Sequence, residues 1–127
     1  MKILLGVSSS IALYKALDLV SLLRKKGHEI RVIMTQNATK MVSPILFHSL
    51  SAYPVAYNEF AEKDYIPHIS LSDWADILAI VPATANIIGK MAGGIGDDLL
   101  STTYLAFNKP VVIAPAMNVK MFAHPIV

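Results

Sequence analysis

Three short runs, KILLGV (2–7), ILAIV (77–81) and VVIA (111–114), are apolar along nearly their whole length, and EIRVIM (29–34) alternates before joining them. A strand with one face in water must place a polar residue at every second position. Runs that do not are read as strands covered on both faces, the usual condition of a parallel sheet. Between the first two runs, IALYKALDLVSLLRKK repeats Leu13, Leu17, Val20 and Leu23 at helical spacing. Arg24, Lys25 and Lys26 suit the negative end of that helix, and Gly27 suits its C′ position. Strand, helix and strand within about 35 residues make a βαβ unit, which is nearly always parallel and right-handed.

The pattern continues down the chain. Residues 35–55 read as short helices around Pro44, followed by a weaker strand near VAYNEF and an exposed loop over 61–67. HISLSDWA reads as a short helix and ATANIIGKMA as a helix start. GGIG interrupts, and DDLLSTTYLAF is another helix. The alternation predicts an α/β fold: a three-layer, Rossmann-like (flavodoxin-like) parallel sheet with helices on both faces.

The chain of 127 residues is 54% apolar and only 16% charged, against about 25% charged for an average domain. So thin a polar coat predicts that other subunits cover part of the surface. A net charge of +2 without a long basic run gives no reason to expect a nucleic-acid partner. The absence of cysteine removes disulfides and thiolate metal sites, and fits a cytoplasmic protein. The apolar run Ile3–Val7 is too short for a signal peptide, and no segment reaches the roughly 20 apolar residues of a membrane span.

In parallel sheets, ligands bind beyond the carboxyl ends of the strands. GVSSS, MTQNA, VPATAN and APAMN all follow strand ends, so they are expected to converge on one rim. GVSSSIA offers backbone N–H groups, hydroxyls and a helix start to a phosphate. It has Gly6 alone rather than the three glycines of a dinucleotide turn, and Ser9 or Ser10 could equally serve as a plain helix cap. PATAN brings small residues that let a flat ring approach, and Asn86 carries both a donor and an acceptor. An ordinary strand-to-helix turn would look the same. In GKMAGGIGDD, Gly89, Gly93, Gly94 and Gly96 allow sharp turns, and Asp97 is expected to cap the following helix. Asp97 and Asp98 could also be imagined as a metal pair, but no histidine stands at ligand spacing, so no metal site is expected. His68, in IPHISL, suits proton transfer near neutrality, although a lone histidine is more often structural. His28, His48 and His124 have less to recommend them.

Taken together, these segments resemble the homo-oligomeric flavin-containing cysteine decarboxylases, from Met1 to about His124. GVSSSIALYK is similar to that family's flavin-phosphate segment and HISL to its catalytic-histidine segment. PATANIIGKMAGGIGDDLLSTTYLA resembles its PASANT motif, and PAMNVKMF its PxMNxxMW motif. Four motifs in the same order make the likeness specific. It is greatest to members that act on 4′-phosphopantothenoylcysteine in coenzyme A synthesis.

The resemblance implies an FMN cofactor at a subunit boundary, in trimers or multiples of trimers. By its motifs Gly6, Ser8, Ser10 and Thr35 would surround the flavin phosphate and ribityl chain. Ala83, Thr84, Ala85, Asn86 and Met117 would line the ring. His68 would be the catalytic base, and Asn118 would bind the substrate carboxylate or adjacent amide. The implied chemistry oxidises the thiol-bearing carbon to a thioaldehyde, which creates the electron sink that carbon dioxide loss requires. The enethiolate would then be reduced, with a separate acid donating a proton. Two departures stand out. Phe122 replaces the motif's tryptophan, and the family's substrate clamp with its proton-donating cysteine has no counterpart here. Residues 1–127 are therefore expected to be one flavoprotein domain of a longer chain. Two alternatives to the coenzyme A activity are oxidative decarboxylation of a peptide's terminal cysteine and a non-catalytic, FMN-binding regulatory subunit. A flavodoxin-type electron carrier fits less well, since it would need neither His68 nor Asn118.

Overall fold

Four parallel strands form one sheet in the order β2-β1-β3-β4, with β1 at Lys2–Val7, β2 at Glu29–Met34, β3 at Ile77–Ala83 and β4 at Val111–Pro115. The computed structural model describes residues 1–58 and 67–127, and the side chains of Pro67 and His68 lie outside that description. Pairing runs from Lys2–Glu29 to Val7–Met34 on one side of β1, and from Ile3–Ile77 to Gly6–Ile80 on the other. Chain order reverses at β1: the connection to β2 goes one way and the step to β3 the other.

Successive side chains of a strand point to opposite faces, so each strand feeds two cores. On one face Ile3, Leu5 and Val7 of β1 join Ile30, Val32 and Met34 of β2. Leu13, Ala16, Val20, Ala38 and Phe47 cover them from α1 (Tyr14–Lys25), its leading 3-10 turn (Ile11–Leu13), α2 (Gln36–Met41) and α3 (Pro44–Ser51). On the other face Leu4, Ile33, Leu78 and Ile80 meet Leu71, Ile87, Leu99 and Leu100. These come from α4 (Pro67–Trp74), α5 (Ala85–Gly93) and α6 (Leu99–Ala106). The expected three-layer α/β architecture is the one observed. Gly27 at φ +91° and Gly94 at φ +69° end α1 and α5 in the left-handed conformation that a side chain resists.

Several local expectations need correction. VAYNEF contributes one bridge, Ala56 to Ile33, and no strand among the described residues; Pro54 lacks the N–H that a longer ladder would use. The loop expected at 61–67 falls outside the described residues except at Pro67, which starts α4. Strand β3 does not stop at Pro82 but runs on to Ala83, which pairs with Pro115 after a register shift. PAMNVKMF contains a short helix, α7 (Val119–Phe122), that the sequence reading leaves out. Strand β3 is not buried throughout, since Ile77, Ala79 and Val81 are half-buried. Strand β4 departs furthest: Val112 and Ile113 are 51% and 39% exposed. Among the described residues no helix is long and apolar enough to cross a membrane.

Candidate functional site

The carboxyl ends of β1, β2 and β3 open into a cavity of about 300 Å³, at the small end of the usual range for small-molecule sites. It lies where chain order reverses, the place at which open α/β sheets separate their loops and admit a ligand. Ser8 and Ser9 line it from the turn after β1; Thr35, Gln36 and Asn37 come from the start of α2. Thr84, Asn86 and Ile87 line it from the start of α5, and Tyr57 and Asn58 close another side.

Each wall is set by a local device. Thr35 accepts a hydrogen bond from the Ala38 N–H at 3.2 Å, and Thr84 accepts one from the Ile87 N–H at 3.4 Å; both hydroxyls are helix caps. Ser8 is buried and joins two strands: its hydroxyl donates to the Pro82 carbonyl at 2.5 Å and accepts from the Thr84 N–H at 3.1 Å. Gly6 lies beneath, where a Cβ would meet Leu100 Cδ1 of α6 at 2.5 Å. Its lack of a side chain therefore admits a helix against the sheet.

The remaining wall is ionic. Lys90 of α5 reaches the Asp97 carboxylate at 2.8 Å and the Asp98 carboxylate at 3.2 Å. The hydrogen bond to Asp97 raises the Lys90 pKa against the opposing effect of burial, and the charge of Asp98 adds to it. Burial by itself would raise the Asp98 pKa. The Ser101 hydroxyl and N–H and the Lys90 charge outweigh it and leave the carboxyl below its ordinary value. Asp98, not Asp97, caps α6, in a capping box with Ser101 whose N–H donates to Oδ1 at 2.7 Å. The helix begins one residue later than the sequence suggests, because it is Asp98 whose carboxylate reaches the Ser101 N–H. The two aspartates thus more than offset the charge of the cavity's lysine, and an anion entering here must be held by N–H groups and hydroxyls on the other walls.

The expected site residues divide accordingly. Ser8, Thr35, Thr84 and Asn86 line the cavity. Ser10 caps the turn before α1, accepting from the Ala12 N–H at 3.1 Å, and does not line it. Nor do Gly6, Ala83 and Ala85: Ala83 is buried, its carbonyl bonded to the Ala116 N–H at 2.9 Å, and Ala85 begins α5. Met117 and Asn118 stand on the same rim after β4 but outside the cavity wall, and the Asn118 side-chain Oδ1 caps α7 by accepting from the Met121 N–H at 2.9 Å. The backbone of His68 lies in the first turn of α4; its side chain falls outside the described residues. Sequence reasoning passed over Ser9 as a lining residue, and with it Gln36, Asn37, Tyr57, Asn58 and Lys90. For Lys90 there was a signal, a lysine seven residues before an aspartate pair across a glycine turn.

The chain is similar to known proteins in sequence and in fold. A sequence profile described as "Flavoprotein" matches residues 1–127. The chain is 51% identical, over 127 residues and 98% of its length, to the "Coenzyme A biosynthesis bifunctional protein CoaBC" of Bacillus subtilis (strain 168), of which it covers 31%. It spans about a third of the length of the curated relatives it matches. The crystal structure of the FMN-dependent cysteine decarboxylase SpaF superposes with a TM-score of 0.93 at 35% identity, covering 99% of this chain and 74% of that one. A PPC decarboxylase complexed with pantothenoylaminoethenethiol superposes with a TM-score of 0.81 at 31% identity, covering 98% and 71%.

Proposed function

Because the chain belongs to the Flavoprotein family, we propose that it binds FMN and decarboxylates the cysteine carboxylate of 4′-phosphopantothenoylcysteine. The observation that carries this reading is the cavity at the chain reversal, walled by hydroxyls and amides on all sides but one, where Lys90 is committed to Asp97 and Asp98. That donor set fits a polyol phosphate. A phosphate needs N–H and O–H donors, which a turn and helix starts supply, and a ribityl chain needs neutral partners that both give and accept. Ser9, Thr35, Thr84 and Asn86 would hold the phosphate and polyol, with the small residues Ala83 and Ala85 beside them.

FMN, when bound, supplies the two-electron acceptor that a cysteine carboxylate lacks. The chain's own residues orient and deprotonate the substrate. His68, in the first turn of α4, takes the thiol proton, and Asn118 holds the carboxylate or adjacent amide from the rim beyond β4. The likeness to CoaBC supports the coenzyme A substrate over a peptide. The apolar exposure of Ile11 (90%) and Val119 (83%) supports assembly into a homo-oligomer, with trimers the expected unit.

The test begins with colour: the purified protein is expected to be yellow and to release FMN, not FAD, on denaturation. His68→Asn is expected to retain flavin while losing carbon dioxide release from 4′-phosphopantothenoylcysteine. An unchanged rate in that variant removes His68 from the mechanism. Enethiol accumulation from a peptide ending in cysteine, with no turnover of the phosphopantothenoyl substrate, points to oxidative peptide decarboxylation. Flavin binding without turnover of either leaves a regulatory subunit.

A further inference from the structure

Strands β1 and β3 stop pairing at Gly6 and Ile80, and the cavity opens just beyond. Ser8 bridges that opening with three hydrogen bonds. Its N–H and hydroxyl both donate to the Pro82 carbonyl, at 3.4 and 2.5 Å, and its oxygen accepts from the Thr84 N–H at 3.1 Å. A serine hydroxyl has one proton to give, and here Pro82 takes it. A phosphate dianion offers only acceptors, so Ser8 could bond it through Oγ only by releasing Pro82.

We propose that Ser8 is a positioning residue: a latch that fixes the end of β3 and the first turn of α5 against β1, and not a ligand of the phosphate. The geometry passes the constraint onward. Thr84, held by its N–H on Ser8, caps α5 through the Ile87 N–H, and Thr84 and Asn86 face the cavity. Ser8 thereby sets where the polar groups of PATAN stand relative to the turn after β1. The proposal rests on the flavin reading for its ligand but not for the latch itself.

The experiment compares wild type, Ser8→Ala and Ser8→Thr by titration of apoprotein with FMN and with riboflavin, which lacks the phosphate. It also measures amide hydrogen exchange at Thr84 in apoprotein. A latch predicts that Ser8→Ala weakens both flavins by the same factor, on the order of tenfold, since a partly buried N–H has lost its acceptor. Thr84 exchange accelerates in Ser8→Ala, and Ser8→Thr, which keeps a hydroxyl, restores both readouts. Loss confined to FMN, with riboflavin unaffected, makes Ser8 a phosphate ligand and overturns the proposal. So does a Thr84 amide that exchanges at the unprotected rate in wild type, a measurement that stands even if the alanine variant does not fold. Failure of wild type to bind either flavin overturns the cofactor reading, while Thr84 exchange still decides the latch.

Discussion

Strands β3 and β4 are written almost alike, ILAIVPA and VVIAPA, and lie side by side with Ile80 paired to Ile113. Ile80 is fully buried, yet its partner is 39% exposed. Helices α4, α5 and α6 close over one face of β3, while beyond Val111 no described residue packs over β4 to the same extent. The strand ends diverge in the same way. After β3, Thr84 caps a nine-residue helix and faces the cavity; after β4, exposed Asn118 caps a four-residue helix outside it. Apolarity states that a strand seeks cover, and says nothing of whether its own chain provides it.

Substitution of the paired isoleucines tests that contrast most directly. Ile80→Ala is expected to cost about 2–5 kcal/mol, the transfer energy of the lost carbons plus the cavity they leave, as read by denaturant unfolding. Ile113→Ala, at the other end of the scale, is expected to change stability by about 0.5 kcal/mol or less. A loss at Ile113 that matched Ile80 and grew on dilution would erase the contrast and put another subunit over β4.

Between those extremes lie two charged fastenings. Lys109, in the connection to β4, donates to the carbonyls of Ser72, Asp73 and Ala75 at 3.0, 3.2 and 2.5 Å. It thus satisfies the carboxyl end of α4, the helix whose first turn carries His68. Lys109→Met is expected to cost about 2 kcal/mol, with faster amide exchange around Ala75, marking a side-chain tie between the β4 side and the buried half that adds to the β3–β4 ladder. Next comes the α6 cap, where Asp98→Ala is expected to cost about 1 kcal/mol.

The Asp98 cap also carries a pH signature. Its carboxyl is held below the ordinary value in the folded protein, so the unfolded chain binds that proton more readily. The contribution is complete above the unfolded value near about 4, and disappears as the pH falls through the folded value. Asp98→Asn is therefore expected to flatten the acid limb of the stability curve and leave its neutral-to-alkaline shape alone. An acid limb identical to wild type would show that the carboxylate's bonds to Ser101 and Lys90 do not distinguish folded from unfolded chain. As small as the Ile113 effect is that of Asn118→Ala, within about 0.5 kcal/mol in stability because the helix it caps is short and exposed. Under the proposed function the same variant abolishes turnover, and that separation of activity from stability is its diagnostic.

Much of this was legible in the residues. Periodicity located β1, α1, β2, α3 and α6, because each needs only local spacing and a cap or a glycine at its end. The short helix after Asn118 was missed because four residues carry too little pattern to register. The partner of Asp97 was missed because Lys90 approaches it only after a glycine turn folds the chain back. Among the expected site residues, Thr35 and Thr84 came from the motif resemblance, and the structure adds that both cap the helices lining the cavity. That Gly6 answers to Leu100 of α6, 94 positions further along the chain, was not legible.

By itself the sequence determined the four strands of the sheet, which way the βα connections run, and therefore that one rim collects the serine, threonine and asparagine turns. Those properties follow from side-chain period and backbone chirality, which act over a few residues at a time. Tertiary structure alone decided which turns wall the cavity, that Ser8 spends its proton on Pro82, and that β4 is left uncovered by the described residues. These outcomes depend on distances between groups remote along the chain, and only packing sets those.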